Sequence, residues 1–375
     1  MICSAVVSPA VSASPNITTG IYDDAQILYG NPDKVFPILR ETHTGLIRVS
    51  LWWGGANGVA KRRPAQPTNP NDPAYEWATY DRTALYAKLF GMKVMFTIIG
   101  TPSWANGDRG WNAAPDNMSH LEAFAKAAAT RYGGKFRGRD GRLIPPVRLW
   151  LVWNEPNNPV FLKPQFVQEG DRWIVQSARD YAAMCNAVIA GVRSGQVGAK
   201  IGCGATSPRG NNNPNSTRPS VSPLVFLRNV RAAGARGFNA YAHHPHYGKK
   251  HETPTTPPPP GLRGNAPTAV TLGNFGALKK ALKDAYGKRM PIWITEYGYQ
   301  TNPPDRLAGV SWSEQHRYMV EAYEIAKRDE NVDMFIWFLL RDEERLEGWQ
   351  SGLYAVGWKR KDAREGFEQI SEDSK

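Results

Sequence analysis

The run LWLVWNEPNN, residues 149–158, shows the unit from which this fold is built. Its apolar half is rich in Trp, Leu and Val and too short for a helix, so it predicts a buried β-strand over Val147–Trp153. The run then turns polar at the Asn-Glu-Pro of residues 154–156. Farther along, Ala178–Val192 carries apolar residues at helical spacing, which predicts an amphipathic helix. One unit therefore consists of a buried strand, a polar strand end and a helix.

The chain repeats this unit along its 375 residues. Short apolar runs predict seven more strands: Asn16–Tyr22, Leu46–Trp52, Lys93–Ile99, Lys200–Ala205, Phe238–His243, Pro291–Thr295 and Val332–Phe338. Amphipathic patterns predict the other helices: Asp33–Arg40, Tyr80–Phe90, Leu121–Tyr132, Pro223–Ala233, Phe275–Tyr286, Glu314–Arg328 and Asp362–Ile370. Strands that alternate with helices favour a parallel sheet with right-handed crossovers. Eight such units predict an α/β fold, a single (β/α)8 TIM barrel.

An open, doubly wound sheet is the alternative architecture. It requires a Gly-rich phosphate-binding turn after an early strand, and Gly54–Gly55 does not form one. Long irregular segments follow four of the predicted strands: Trp53–Trp77, Pro102–Pro115, Ser207–Ser222 and Lys249–Thr271. The last contains the run Pro257–Pro260, which alone would suggest a domain linker. Because the strand–helix alternation resumes after it, we predict one domain with long βα loops.

The N-terminal residues MICSAVVSPAVSASP are small and apolar. We interpret residues 1–13 as the remnant of a secretory signal peptide cleaved after Ala13, and residues 14–375 as the barrel. The basic n-region of a signal peptide is missing, so a disordered N-terminus is the alternative. No later stretch has about 18 uninterrupted apolar residues, which predicts no membrane span. We expect a secreted, extracellular protein of bacterial origin.

Charge and cysteine content limit the cofactors and partners. The formal net charge is +12, but the positive residues are scattered, which argues against nucleic acid as a partner. Cys3 would leave with a signal peptide, and Cys185 and Cys203 form either a disulfide or two buried thiols. No cysteine has a metal-ligand companion at useful spacing, so we predict no metal and no cofactor.

A second strand ends in a carboxylate. MPIWITEYGY, residues 290–299, is apolar up to Glu296, just as the run that opens this section is apolar up to Asn154 and Glu155. The carboxyl ends of barrel strands meet at one face, where such enzymes place their active sites. Two carboxyl groups about 5–5.5 Å apart are the pair that retaining glycosidases use. The Asn-Glu-Pro alone could be a helix-start turn, but a second strand-end Glu favours catalysis.

At these two strand ends the chain resembles the large clan of retaining (β/α)8 glycoside hydrolases that includes the cellulase-like family 5 and the family 39 enzymes. The resemblance implies that Glu155 is the acid/base and Glu296 the nucleophile. It further implies that Asn154 binds the sugar 2-hydroxyl and that Arg48, in the second strand, lies near the nucleophile. The segment SGLYAVGWKRKDAREGF, residues 351–367, also looks like the common C-terminal segment of the clan.

Two more strand ends carry the resemblance. AYAHHPHYG, residues 240–248, is similar to the clan's His-Pro-Tyr-Gly pattern. The similarity implies a substrate-binding role for His244 and makes Tyr247 the expected partner of the nucleophile. The extra His246 departs from the pattern, and we take it as a further candidate for substrate binding. DMFIWFLL contains Trp337, which matches the Trp that forms the floor of the −1 subsite, although core packing is the alternative. Five tryptophans on predicted loops or helix starts are candidate sugar platforms: Trp53, Trp104, Trp111, Trp312 and Trp349.

We therefore predict a secreted retaining glycoside hydrolase that acts on a carbohydrate, with an anionic glycan as one option because of the basic charge. Three alternatives remain open: a transglycosylase on the same site, a catalytically silent carbohydrate-binding barrel, and a basic matrix protein. A pair of carboxylates that repel each other when close argues against a pure binder. The sugar, the linkage and the oligomeric state are not predicted.

Overall fold

The computed structural model describes residues 17–138, 140–260 and 267–374. Its centre is a closed barrel of eight parallel strands, each hydrogen-bonded to its neighbours in chain order. These are β1 (Thr18–Tyr22), β2 (Leu46–Trp52), β3 (Lys93–Ile99), β4 (Leu149–Val152), β7 (Lys200–Thr206), β8 (Ala240–His243), β9 (Ile292–Tyr297) and β10 (Val332–Phe338). A small antiparallel hairpin, β5 (Val167–Glu169) with β6 (Arg172–Ile174), lies in the loop after β4.

Every barrel strand is followed by at least one helix. The helices are α1 (Asp24–Ile27), α2 (Pro32–Glu41), α3 (Ala78–Leu89), α4 (Met118–Arg131), α5 (Gln176–Gly195), α6 (Pro223–Ala232), α7 (Phe275–Tyr286), α8 (Trp312–Lys327) and α9 (Ala363–Asp373). The predicted (β/α)8 barrel is confirmed. The hairpin after β4 was not predicted, because each of its strands is only three residues long.

Two apolar layers hold the barrel together. The larger one lies between the strands and the helices. The smaller one fills the barrel interior and consists of Leu46, Met95, Leu151, Ala205, Ala240, Ala242, Trp293, Met334 and Ile336. Because successive strand residues point to opposite faces, the interior positions recur every second residue. Two residues farther toward the carboxyl ends of β2, β3 and β9, the interior residues become polar. They are Arg48, Thr97 and Thr295.

Strand β9 breaks this alternation just below the carboxyl-end mouth of the barrel. Its pairing with β10 steps from Ile294–Phe335 to Tyr297–Trp337, so β9 has one extra residue. Thr295 and Glu296 can therefore both turn into the barrel, although they are neighbours in sequence.

Strand β7 has a similar irregularity. Its pairing with β8 steps from Cys203–Tyr241 to Thr206–His243. Between these pairs Gly204 and Ala205 have φ of 106° and 45°. The bulge ends the regular pairing of β7 with β4 below the mouth, and it leaves the carbonyl of Ala205 free to accept a hydrogen bond from another segment.

Cys185 of α5 and Cys203 of β7 form a disulfide. Of the two alternatives that the sequence left open, the structure has the disulfide and not the free thiols. It joins the helix to the strand directly before the bulge of β7. The predicted signal-peptide remnant, residues 1–13, lies outside the described residues. Among the helices of the described ranges, none has both the length and the apolar character to cross a bilayer.

Candidate active site

Arg48 organises the centre of the mouth. From the interior face of β2, its Nη1 donates to Glu296 Oε1 and its Nη2 donates to Asn154 Oδ1, both at 2.7 Å. Its Nε donates to Thr97 Oγ1 at 2.9 Å. The side chain of Arg48 is fully buried, and hydrogen bonds from a buried guanidinium to a carboxylate are short and strong. One guanidinium therefore orients Glu296 and Asn154 together.

Asn154 is held through its oxygen only. Among the described residues no protein acceptor is bonded to its Nδ2 atom, and the side chain is 4% exposed. With its oxygen turned to Arg48, the amide presents its N–H₂ group to the mouth as a donor. This orientation fits the predicted contact with a sugar hydroxyl.

Glu155 follows β4 on a turn with an unusual backbone. The φ angle is 61° at Trp153 and 37° at Glu155, in a region that non-glycine residues rarely occupy. The amide of Glu155 donates to the carbonyl of Ala205 in β7 at 2.8 Å. Its carboxylate accepts from Asn158 Nδ2 at 3.1 Å. Such backbone conformations concentrate at functional sites because the surrounding structure must hold them.

His244 stands between the two carboxylates. Its Nδ1 lies 3.2 Å from Glu155 Oε1 and 3.6 Å from Glu296 Oε1. Its Nε2 lies 3.5 Å from Arg48 Nη1 and 3.0 Å from Thr295 Oγ1. Both N–H groups of Arg48 Nη1 are used by Glu296 Oε1 and the carbonyl of Thr295. Because Nδ1 faces carboxyl oxygens, and that of Glu296 can only accept, Nδ1 carries the proton of the neutral ring and Nε2 accepts from Thr295 Oγ1. Burial lowers the pKa of His244 to about 3, so the ring is neutral at physiological pH.

The two carboxylates are close to each other and differ in charge state. One oxygen of Glu155 lies within 4.8 Å of one oxygen of Glu296. Burial, and then the negative charge of Glu296, raise the pKa of Glu155 to about 7. Burial also acts to raise the pKa of Glu296, but the neighbouring His244 and Arg48 outweigh it and hold this pKa at about 2. Since His244 is neutral at physiological pH, Arg48 is the charge that keeps Glu296 ionised there. The site therefore pairs a protonated acid with a permanent carboxylate.

Glu155, His244 and Glu296 also form a set of donors with the spacing of metal ligands. Arg48 donates to Glu296 Oε1, however, and a cation bound there would lie beside a permanent positive charge. The neighbourhood of Arg48 therefore favours a Glu296 carboxylate that is free of metal over one that binds a metal ion. The absence of a cofactor remains a prediction.

His246 lies beside the second oxygen of Glu296. Its Nε2 is 3.6 Å from Glu296 Oε2, and within the part of the chain that the structure describes neither ring nitrogen has a partner at hydrogen-bond distance. The ring is parallel to that of Tyr297 and lies 5.1 Å from the Trp349 ring. Of the residues that directly follow the sixth barrel strand, β8, His244 contacts both carboxyl groups and His246 faces Glu296.

Tyr247 does not reach Glu296, which corrects the expectation that it is the partner of the nucleophile. Its hydroxyl accepts from the amide of Gln300 at 2.9 Å and donates to the carbonyl of Ala308 at 3.1 Å. The ring stacks on Tyr299 with centroids 4.2 Å apart. Tyr247 therefore stabilises the loop after β9, and His246 lies beside Glu296 in the place that was expected for the tyrosine.

Trp337 is not part of the mouth either. It lies on the outer face of β10, is fully buried, and donates from Nε1 to the carbonyl of Ser351 at 2.9 Å. Because Met334 and Ile336 point into the barrel, the next interior residue is Phe338. The Phe338 ring lies 5.4 Å from the rings of Tyr22 and Trp349. The aromatic ring at the mouth that was expected from Trp337 is therefore that of Phe338, one residue later.

Trp53 and Trp104, two of the predicted sugar platforms, pack within the fold. Trp53 is 1% exposed and stacks on Phe124, so it cannot offer a face to a sugar. Trp104 is half-buried and donates from Nε1 to the carbonyl of Ala60. The half-exposed Trp111 contacts Trp52 edge to face and lines a cavity of about 260 Å³ between the loops after β2 and β3. Trp111 and Trp349 are better placed as platforms.

The carboxyl end of β1 also contributes to the mouth, and its residues were not predicted as part of the site. The ring of Tyr22 lies 4.2 Å from the guanidinium carbon of Arg48, and its hydroxyl is 3.0 Å from Ser50 Oγ. Asp24 accepts from the amide of Ser50 at 2.9 Å. The signal was present, because the predicted strand Asn16–Tyr22 runs directly into two aspartates, as the other two strands run into a glutamate.

A closed (β/α)8 barrel with paired carboxylates at the ends of its fourth and seventh strands is an architecture of glycosidases. Residues 271–355, which include Glu296, match a family model described as glycosyl hydrolase catalytic core. No curated protein matches the sequence.

Solved glycosidase structures share the fold. A family 39 glycoside hydrolase from Bacteroides cellulosilyticus WH2 superposes with a TM-score of 0.63 and 17% identity, over 96% of this chain and 64% of that one. A glucosidase from Croceicoccus marinus gives a TM-score of 0.63 and 15% identity, over 96% and 67% of the two chains. An endo-1,4-β-mannanase from Rhizomucor miehei gives 0.58 and 11%, over 96% and 95%. The chain thus spans about two thirds of the length of the first two, and at these identities the likeness shows the fold.

Proposed function

We propose that this chain is a retaining glycoside hydrolase in which Glu155 is the acid/base and Glu296 the nucleophile. The observation that carries the proposal is that the carboxyl groups of Glu155 and Glu296 lie within 4.8 Å of each other at the mouth of the barrel, with Arg48 bound, of the two, to Glu296 alone. The pKa of Glu155 is raised to about 7, and the pKa of Glu296 is held at about 2. An acid that keeps its proton beside a carboxylate that has lost it is the pair that double displacement needs.

In the first step Glu155 gives its proton to the glycosidic oxygen as the bond from that oxygen to the anomeric carbon breaks. Glu296 Oε2, the oxygen that Arg48 does not hold, forms the new bond to the anomeric carbon. In the second step Glu155, now a carboxylate, takes a proton from water, and the water oxygen displaces Glu296. Two inversions at one carbon leave the configuration retained.

The roles of the neighbours follow from their contacts. Asn154 presents its N–H₂ group to the sugar 2-hydroxyl, with Arg48 holding its oxygen. The proton on His244 Nδ1 is directed at Glu155 and keeps the two carboxyl groups apart. His246 and Phe338 are substrate-binding residues on the far side of Glu296.

Secretion is part of the proposal. The predicted signal-peptide remnant and the disulfide between Cys185 and Cys203 are consistent with an oxidising compartment outside the cell, since disulfides are rare in the cytosol. The substrate is a carbohydrate. An anionic glycan remains the option that the net charge of +12 favours.

The test is release of reducing sugar from plant, microbial and animal glycans, neutral and uronate-bearing, by the protein and by Glu296→Gln. We expect release that the variant loses, with the first product in the retained anomeric form by NMR. A 2-deoxy-2-fluoro glycoside of the same sugar should leave a covalent adduct on Glu296 in the mass spectrum. An inverted first product, or release undiminished in the variant, would contradict the mechanism.

The rival functions give different results in the same experiment. A transglycosylase lengthens its substrate at high concentration and still requires Glu296. A carbohydrate-binding barrel shows affinity for a glycan without turnover. Salt-sensitive polymer binding that survives replacement of both glutamates would indicate a matrix protein.

A further inference from the structure

The hydroxyl of Tyr181 is inserted between two strands of the barrel. Tyr181 lies on α5, is fully buried, and donates to the carbonyl of Val152 in β4 at 2.9 Å. The same hydroxyl accepts from the amide of Gly204 in β7 at 2.6 Å. Burial raises the pKa of Tyr181 well above its ordinary value, so the hydroxyl keeps the proton that it donates.

This hydroxyl takes the place of a hydrogen bond that the regular sheet would have between β4 and β7. In a parallel pair the amides of every second residue on one strand donate to carbonyls on the other. The amide of Lys200 donates to the carbonyl of Arg148, and Leu151 is the last residue of β4 to pair with β7. This series advances by two residues on each strand at every bond. Its second bond after that of Lys200 would run from the amide of Gly204 to the carbonyl of Val152. Here the two strands have separated, and the Tyr181 hydroxyl connects them instead.

The bridge holds the turn that carries Glu155. Val152 is the last residue before this turn, and the turn ends where the amide of Glu155 donates to the carbonyl of Ala205 at 2.8 Å. Ala205 is the neighbour of Gly204 in the bulge of β7. Tyr181 therefore fixes one side of the bulge, and the other side of the bulge holds Glu155.

The bulge itself depends on glycine at position 204. Its φ is 106°, and a Cβ atom there would lie 2.6 Å from the carbonyl oxygen of Ala242 and 2.8 Å from the Tyr241 ring. No other residue can adopt this conformation without displacing its neighbours. The close approach holds the bulge against β8, and the hydroxyl of Tyr181 connects the same bulge to β4.

We propose that Tyr181 is a positioning residue for the acid/base: by bridging Val152 and Gly204 it sets the direction in which Glu155 delivers its proton. The inference rests on the proposed function of Glu155. Tyr181 touches no substrate, so its contribution is confined to the proton-transfer part of the reaction. It assists substrates whose leaving group must be protonated and does nothing for those whose leaving group departs as an anion.

The experiment compares Tyr181→Phe with Tyr323→Phe on two glycosides of the sugar that the glycan panel identifies. Tyr323 is a matched control, since it is equally buried and its hydroxyl donates to Asp373 at 2.8 Å, between α8 and α9. One glycoside has an alkyl leaving group, which needs the acid, and the other a 2,4-dinitrophenyl group, which does not. The burst of dinitrophenolate from a 2-deoxy-2-fluoro glycoside counts the folded sites in each preparation, so all rates are per active molecule.

For Tyr181→Phe we expect kcat/KM on the alkyl glycoside to fall roughly 10-fold or more, a share of the roughly 10² to 10⁴-fold that general acid catalysis supplies. On the dinitrophenyl glycoside kcat/KM should stay within about 2-fold of the unmodified protein. Tyr323→Phe should leave kcat/KM unchanged on both glycosides. Equal losses of Tyr181→Phe on both substrates, or no loss on either, would overturn the inference.

A second variant covers the case in which Tyr181→Phe yields no active sites. Cys185→Ala with Cys203→Ala removes the other connection between α5 and β7, directly before the bulge. It should show the same selective loss on the alkyl glycoside, and an unselective loss would count against positioning through α5. Failure of the proposed function is distinguishable, because then the unmodified protein releases no sugar from either glycoside.

Discussion

The guanidinium of Arg48 lies 2.7 Å from a carboxylate oxygen of Glu296, and only 0% and 8% of the two side chains are exposed. The same guanidinium holds Asn154 at an equal distance. A buried carboxylate without a positive partner would take up a proton. This pair therefore keeps Glu296 negative in an interior that would otherwise neutralise it, and it leaves Glu155 as the carboxyl group that keeps its proton.

We expect Arg48→Lys to lower kcat/KM by roughly 10²-fold, because an ammonium cannot hold both Glu296 and Asn154 in one fork. Arg131→Lys is the matched control. Arg131 forms a two-point contact with Asp81 that is also largely buried but lies outside the mouth. The control should lower the unfolding temperature without changing kcat/KM per folded molecule. Equal kinetic losses in the two variants would contradict the special role of Arg48.

The pH dependence of kcat/KM should fall on its alkaline side as the pH passes about 7, where Glu155 loses the proton that it must donate. On the acid side Glu296 stays ionised down to about pH 2, so activity should persist until the protein unfolds. In Glu296→Gln the negative neighbour is gone, and the pKa of Glu155 should fall. Rates from pH 3 to 9, and NMR titration of labelled glutamate in both proteins, measure these changes.

Glu155 should also make folding stability depend on pH. Its pKa is about 7 in the folded state and 4.5 by reference, so its contribution is present at low pH and is lost as the pH rises through 7. Glu155→Gln removes this loss. We expect the variant to be more stable than the unmodified protein at pH 8, by as much as about 3 kcal/mol, and much less so at pH 5.

The control for this prediction is Glu122→Gln, on an exposed position of α4. It should leave the free energy of unfolding unchanged at both pH values. Denaturant unfolding at pH 5 and pH 8 is the measurement. An equal effect of Glu155→Gln at the two pH values would mean that the pKa of Glu155 is not raised.

His246→Phe and Tyr247→Phe test which residue serves the nucleophile. Phe keeps the packing of His246 against Tyr297 and removes the nitrogen 3.6 Å from Glu296, so we expect kcat to fall roughly 10-fold. Tyr247→Phe should leave kcat within about 2-fold and cost about 1 kcal/mol of stability through its lost hydrogen bonds to the loop. The opposite ranking of the two kcat values would restore Tyr247 as the partner.

Phe338→Ala and Trp337→Phe separate the floor of the site from the outer core. Phe338→Ala removes an aromatic face from the mouth, and we expect KM for the glycoside to rise roughly 10-fold. Trp337→Phe loses the hydrogen bond to Ser351 and part of a buried ring, so it should lower stability by about 1–3 kcal/mol with KM unchanged. If KM rose in Trp337→Phe and not in Phe338→Ala, Trp337 and not Phe338 would be the residue that faces the mouth.

Much of the fold could be predicted because its signals are local. The bounds of β2, β3 and β10 agree with the prediction, since each is a mostly apolar run of seven residues. The helix α7 also begins and ends where its amphipathic pattern does. Glu155 and Glu296 stood out because each directly follows an apolar strand, and all such strand ends meet at one face of a barrel.

The sequence by itself therefore determined the eight strand–helix units, the barrel and the two glutamates. The tertiary structure decided which neighbouring residue enters the mouth: His246 and not Tyr247, Phe338 and not Trp337. It also decided that Cys185 and Cys203 are bonded and that Tyr181 replaces a rung of the sheet. The physical reason is that the face on which a strand residue lies depends on the register of the strand in the barrel, and a single bulge, as in β7 and β9, reverses the two-residue alternation. A bulge is set by how neighbouring strands and helices pack, and no short stretch of sequence contains that information.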